Sequence, residues 1–232
     1  MGKLRLWRLT AMVCAWVIVA GGAGCSGTVS KPGPVLLMGD SIFFLANNDL
    51  TYVLRTDGWT MANDSYPGAG ISGGGFSDLS WPPRMRDLVA YIKPQAVVVE
   101  LGTNGCSGCA SLPAAIDADM ETLKDVKAVM WLKVGTEGPR ADVGKEVNAA
   151  LEDATERWGN LTLLPYDEWV AGRPDLVPPN DVHPTAAGQA ALAQHVGDAL
   201  DDRAADAGKT RAQALGAVGL VVLVAVVFMR KK

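Results

Sequence analysis

Short apolar runs alternate along this chain with longer stretches whose apolar positions repeat at helical spacing. Val35–Met38, Ala96–Leu101, Ala128–Val134 and Leu161–Leu164 are almost wholly apolar, which suits strands buried on both faces. The β-branched residues of Ala96–Leu101 make it the strongest strand signal, and Trp59–Ala62 adds a weaker one. Helices are predicted over Leu45–Arg55, Pro82–Ile92, Leu112–Val126, Ala141–Trp158 and Thr185–Ala205. Val143, Val147, Ala150, Leu151 and Ala154 share one face of the fourth, proline is tolerated at the start of the second, and Thr185 can cap the last. Pro67–Phe76 contains Gly68, Gly70, Gly73, Gly74 and Gly75 and must be loop. Strand and helix in alternation predict an α/β fold around a mostly parallel sheet. In such sheets ligands bind beyond the carboxyl ends of the strands. Gly39-Asp40-Ser41-Ile42 and Gly102-Thr103-Asn104-Gly105 each follow a predicted strand directly, so two distant motifs are expected on one edge.

The two ends of the chain carry a different pattern. Lys3, Arg5 and Arg8 precede an apolar stretch from Leu9 to Cys25 that closes on Gly21-Gly22-Ala23-Gly24, which reads as a secretory signal over residues 1–25. Ala23-Gly24-Cys25 also resembles the end of a bacterial lipoprotein signal, which would place a lipid on Cys25, although Gly22 stands where a larger aliphatic residue is usual. Ala214–Met229 is apolar or small throughout and is followed by Arg230-Lys231-Lys232. At 1.5 Å per residue this segment spans roughly 24 Å against a hydrocarbon core of roughly 30 Å, a mismatch a bilayer can absorb. A buried core helix is the other reading, but uninterrupted apolarity beside a basic cluster suits a transmembrane helix better. Basic residues at both extremes predict that the intervening chain faces outward, on the extracytoplasmic side of a bacterial envelope. Between the appendages lie an expected linker at 26–34, one domain at 35–203 and a stalk at 204–213, and residues 230–232 form a basic cytoplasmic tail.

A net charge of −4 argues against a nucleic-acid partner. Of the four cysteines, only Cys106 and Cys109 fall in the outward domain. Their C-x-x-C spacing fits a local disulfide in an oxidising compartment. A redox pair is a second reading, and a zinc site would need two further ligands for which no second cysteine pair exists.

Only two histidines are present, so a general base has few possible identities. Asp181-Val182-His183-Pro184 places a carboxylate two residues before an imidazole in a proline-rich stretch that must be extended or turned. Serine becomes a nucleophile when histidine takes its proton and a carboxylate holds the imidazole. Ser41, His183 and Asp181 are the candidate triad. Negative charge developing on a tetrahedral intermediate needs fixed donors, for which the Gly68 backbone and the Asn104 amide are candidates. His195 sits among Ala191, Leu192, Val196 and Leu200 and reads as a packing residue, and Trp81, Trp131 and Trp169 read as core or rim residues.

Taken in order, these motifs resemble those of SGNH/GDSL-type hydrolases over about residues 35–200. Gly39-Asp40-Ser41-Ile42 is similar to the nucleophile block, with isoleucine in place of the name-giving leucine. Ser65-Tyr66-Pro67-Gly68-Ala69 resembles the block bearing the oxyanion glycine, with Gly70 as a rival. Gly102-Thr103-Asn104-Gly105 resembles the asparagine block and Asp181-Val182-His183-Pro184 the final block. The resemblance implies a flavodoxin-like three-layer α/β/α fold and acyl-ester chemistry without metal or cofactor. It implies Ser41 as nucleophile, His183 as base and acid, Asp181 as its orienter, and an oxyanion hole from the Ser41 and Gly68 N–H groups with Asn104. Asp40 would support the loop. The substrate would be an acyl ester, with envelope glycans and lipids as candidates, and the acyl acceptor would be water or a sugar hydroxyl. The membrane anchor and the Gly-Thr-Asn-Gly form also resemble SGNH domains attached to extracytoplasmic O-acetyltransferases. Cys106 and Cys109 are not part of the general pattern; a bridge there would stiffen the loop holding Asn104. A silent glycan-binding module of the same fold is the competing reading.

Overall fold

Pro34–Gly39 (β1), Thr60–Ser65 (β2), Ala96–Glu100 (β3), Ala128–Leu132 (β4) and Leu161–Leu164 (β5) pair in the order β2-β1-β3-β4-β5, and every pairing is parallel. The computed structural model describes residues 29–31, 33–73 and 79–206. Ser41–Leu45 (α1), Asn47–Thr56 (α2), Trp81–Ile92 (α3), Leu112–Leu123 (α4) and Ala141–Arg157 (α5) connect the strands, and Tyr166–Val170 (α6) follows β5. A seventh, α7, occupies 186–206.

The apolar runs of β1, β3 and β4 are continuous because both faces of the sheet are covered. Leu36, Met38, Val97, Val99, Val129 and Trp131 point to one face, where α3, α4 and α5 supply Trp81, Met85, Ile116, Met120, Val147 and Leu151. Val35, Leu37, Val98, Met130 and Leu132 point to the other, against Phe43, Leu50 and Leu54 of α1 and α2 and Leu192, Val196 and Leu200 of α7. Period-2 alternation in the strands thus feeds two separate cores from one sheet. The expected α/β class and parallel sheet are found, with helices on both faces.

Differences from the expected boundaries have local causes. β2 runs on through Asn63, Asp64 and Ser65 because it is an edge strand, paired only with β1, and its residues are only partly covered. The helix expected from Leu45 is two helices, since α1 starts on Ser41 itself and Ala46 separates it from α2. α6 has only five residues, too few for any periodicity to register. Part of the expected linker is bound to the domain. Val29 is buried at 2 % exposure, and the Ser30 N–H donates to Gln95 Oε1 at 3.1 Å. Residues 204–206 of the expected stalk continue α7.

Asp201 fastens α7 to the body of the domain. Its Oδ1 accepts from the Trp59 indole N–H at 2.8 Å, and the Lys31 ammonium lies 2.6 Å from the same oxygen. His195, also on α7, stacks on Trp169 with ring centroids 4.2 Å apart and planes 12° from parallel. Trp81 and Trp131 are fully buried. The signal segment, Cys25 and the 214–229 segment lie outside the described residues. Among the described residues no helix is long and apolar enough to cross a membrane.

One core residue conflicts with its surroundings. Asp119 of α4 has 0 % exposure, and neither carboxyl oxygen has a hydrogen-bond partner among the described residues. Burial pushes its carboxyl well above the ordinary 3.8. The folded chain therefore holds this proton at pH values where the unfolded chain has released it, and stability is lost as pH rises from about 4 toward the folded pKa. Asp119→Asn cannot ionise. It should stabilise the protein by ~1–3 kcal/mol near neutral pH and by much less below pH ~4, measured by urea unfolding at the two pH values.

Candidate active site

Strand β1 delivers its last residue, Gly39, to the carboxyl edge of the sheet, and the chain turns there into α1. A Cβ on Gly39 would stand 2.8 Å from that of Phe43, so the turn closes only around glycine. Asp40 then caps α1, its Oδ1 accepting from the Ile42 N–H at 2.9 Å. The first helical residue is Ser41. Phe44 N–H begins the helix ladder by donating to Asp40 O at 3.0 Å.

His183 and Asp181 arrive from the segment between α6 and α7. Asp181 N–H donates to Pro178 O at 3.0 Å, closing a turn. Thr185 caps α7, its hydroxyl accepting from Gly188 N–H at 3.1 Å. Between these fixed points His183 Nε2 lies 3.0 Å from Ser41 Oγ, and Nδ1 lies 2.8 Å from Asp181 Oδ1. With Nδ1–H donating to the carboxylate, Nε2 is free to accept the serine proton. Asp181 Oδ1 also accepts the N–H groups of Val182 at 2.7 Å and His183 at 3.1 Å. These bonds hold its carboxyl below the ordinary 3.8, the His183 N–H first among them. The relay is open to solvent, with side-chain exposures of 41 % for His183 and 51 % for Asp181.

Asn104 sits just beyond β3. Gly102 precedes it at φ +132°, where a Cβ would press to 2.8 Å on Val134 and Val147, so this turn requires glycine. Both hydrogens of the Asn104 amide are engaged, one to Asp40 Oδ2 at 2.9 Å and one to Ala69 O at 3.0 Å. Gly68, at φ +80°, and Ser41 have N–H groups without a hydrogen-bond partner among the described residues. The Gly70 N–H is committed to Gly73 O at 2.9 Å. Among the described residues Gly68 therefore has a donor to offer and Gly70 does not.

Cys106 and Cys109 are joined by a disulfide with Cα atoms 5.8 Å apart. Their loop is stitched to the glycine loop, Ile71 N–H donating to Gly105 O at 2.9 Å and the Ser72 hydroxyl to Ser107 O at 3.2 Å. The segments carrying Gly68 and Asn104 therefore support each other.

Sequence reasoning gave no role to Glu100, the last residue of β3. It is 4 % exposed and packed beneath the Ser41 turn. Its signal was the single charge inside an apolar run. Burial pushes Asp40 up to about 6, and burial together with the Asp40 charge pushes Glu100 well above the carboxylate range. The Asp40 charge thus opposes ionisation of Glu100. The Tyr166 hydroxyl is buried near them and has no partner among the described residues; burial, then the charges of Glu100 and Asp40, raises its pKa. A cavity of about 210 Å³ opens beside the relay, bounded by Ile42, Thr103 and Asp181 and walled by Val134, Val170 and Val177. Among the described residues no group of three or more His, Cys, Asp or Glu side chains is placed to hold a metal ion.

This geometry meets a family match. Residues 37–191 fit the GDSL-like lipase/acylhydrolase family, and the chain belongs to it. Its fold is similar to that of the C-terminal catalytic domain of a peptidoglycan O-acetyltransferase from Streptococcus pneumoniae, solved with a methylsulfonyl adduct. The two share 17 % identity over 78 % of this chain and 97 % of that one, at a TM-score of 0.60. A family 3 carbohydrate esterase from Clostridium thermocellum shares 15 % identity over 76 % of this chain and all of the other, 100 %, at 0.54. A family 2 carbohydrate esterase with a carbohydrate-binding domain, from Corynascus thermopiles, shares 18 % over 76 % and 68 %, at 0.53. No curated protein sequence matches the chain.

The hydrogen bond from His183 to Asp181 fixes the imidazole tautomer. Asp181→Asn should lower kcat on a p-nitrophenyl ester by about 10³–10⁴-fold, with KM little changed, in steady-state assays of the folded variant.

Proposed function

We propose that this chain is a serine esterase or O-acyltransferase that works through Ser41, His183 and Asp181. The observation that carries the reading is the relay itself, 3.0 Å from Ser41 Oγ to His183 Nε2 and 2.8 Å from Nδ1 to Asp181. Ser41 Oγ attacks the ester carbonyl carbon while Nε2 takes its proton. Asp181 stabilises the imidazolium. The tetrahedral intermediate collapses, the alcohol leaves with the proton from Nε2, and the acyl group stays on Ser41. Water or a sugar hydroxyl then attacks the acyl-enzyme with His183 as base, and Ser41 is regenerated. The oxyanion is held by the Ser41 and Gly68 N–H groups. Asn104 joins them by releasing the Ala69 carbonyl. The apolar walls of the adjacent cavity suit the acyl chain.

The solvent exposure of His183 and Asp181 favours hydrolysis, because transfer requires water to be kept from the acyl-enzyme. Likeness to the peptidoglycan O-acetyltransferase domain supports the second outcome, with an envelope glycan as acceptor. A silent binding module would have no use for a complete relay. We further place the domain outside a bacterial cytoplasmic membrane, anchored through 214–229 and, where Cys25 is lipidated, at both ends. The sequence of the two termini supports this placement.

The full chain, purified in mild detergent, should hydrolyse p-nitrophenyl acetate and show an acyl adduct on Ser41 by intact mass. Ser41→Ala should reduce kcat by ~10⁶-fold. Absence of turnover on acetyl through octanoyl esters, or turnover that survives Ser41→Ala, would discard the reading. Mass spectrometry of the mature N-terminus should find Cys25 as its first residue and lipid-modified; an unmodified start elsewhere removes the lipid anchor.

A further inference from the structure

We propose that Glu100 is a positioning residue for the nucleophile, its buried carboxyl clamping the backbone on both sides of Ser41. The inference rests on the assignment of Ser41 as nucleophile. Glu100 Oε2 accepts the Asp40 N–H at 3.2 Å and the Phe43 N–H at 3.4 Å, one residue before Ser41 and two after. The Asp40 N–H is also within 3.1 Å of the Glu100 carbonyl, so side chain and backbone of one strand residue grip the same donor.

The first turn of any helix leaves N–H groups without partners inside the helix. In α1 these belong to Ser41, Ile42 and Phe43. Asp40 Oδ1 takes that of Ile42, and Glu100 takes that of Phe43 from a neighbouring strand. Only the Ser41 N–H is left over, which is the one an oxyanion would use. Glu100 therefore fixes the direction of the turn and selects the donor that remains. A leucine at 100 would fill the same space and leave the Phe43 N–H buried without a partner.

The carboxyl must also live beside Asp40, whose own carboxyl is 0 % exposed. Glu100 meets this by holding a proton, so that Oε2 accepts the two N–H groups while the protonated carboxyl bonds the Asp40 side chain. Asp40 in turn accepts from Asn104, so the clamp extends to the third oxyanion candidate. A glutamine would reproduce the arrangement, its carbonyl accepting and its amide donating. This chemistry separates positioning from mere packing.

The test uses the reaction of Ser41 with phenylmethylsulfonyl fluoride, followed by intact mass, because it reads activation of the nucleophile without any assumption about the acyl substrate. Steady-state p-nitrophenyl acetate kinetics and thermal melts accompany it for wild type, Glu100→Gln and Glu100→Ala. Glu100→Gln should keep the sulfonylation rate and kcat within about threefold. Glu100→Ala should lose ~100-fold in both with KM little changed, as expected for a displaced nucleophile. Where the alanine variant does not fold, Glu100→Asp replaces it and should react slower than Glu100→Gln. Equal rates for wild type and Glu100→Ala would overturn the positioning role alone, as would a folded Glu100→Gln as slow as the alanine or aspartate variant. An inert Ser41 in the wild type would overturn the nucleophile assignment, and the positioning role with it.

Discussion

The buried carboxylate of Asp40 is the joint on which the site depends. It follows β1, caps α1 and receives the Asn104 amide from beyond β3, so three elements meet at one side chain. A carboxyl with no access to water must have its lone pairs satisfied, and the structure meets that demand with groups that the chemistry also needs. The same bonds that make the burial tolerable orient the Ser41 turn and the asparagine loop. The cost of the burial itself appears as the elevated pKa of both acids, which the N–H bonds only partly offset. Stability and geometry are linked here through one atom group.

The sheet makes this meeting possible. Parallel strands send all their carboxyl ends to one edge, and each loop at that edge can contribute a side chain without disturbing the core. Ser41 comes from β1, the Gly68 turn follows β2 and Asn104 follows β3, while His183 and Asp181 approach from the chain beyond β5. The Ser41 turn is anchored on both sides of the serine. The histidine segment is held differently, by a turn at Pro178 and a cap at Thr185, and it stays half exposed. One partner of the relay is thus fixed by burial and the other by backbone hydrogen bonds.

Much of this was legible because it is local. A glycine-aspartate-serine turn after an apolar run, and a histidine two residues from an aspartate among prolines, carry their meaning within a few positions. The strands were equally readable, since burial on both faces leaves runs with no polar interruption. What could not be read depends on neighbours brought together by the fold. Glu100 looked like the end of a strand, and only the turn lying above it gives its carboxyl a task. Gly68 and Gly70 are chemically identical in the sequence; they differ because a bend commits the N–H of one and leaves the other free. The engagement of both Asn104 hydrogens, and the unpartnered acid at 119, likewise belong to tertiary surroundings. α6 was invisible for a simpler reason, having too few residues to show a period.

Helix α7 has a mechanical consequence. It begins three residues after His183 and runs out to residue 206, so it lies on the covalent path between the histidine and the chain from 207 onward. Any load applied beyond residue 206 enters the described residues through this helix. It meets Asp201 first, where an indole and an ammonium grip the same side chain, and then the apolar stripe of Leu200, Val196 and Leu192. Those contacts stand between the chain beyond 206 and the turn that carries His183.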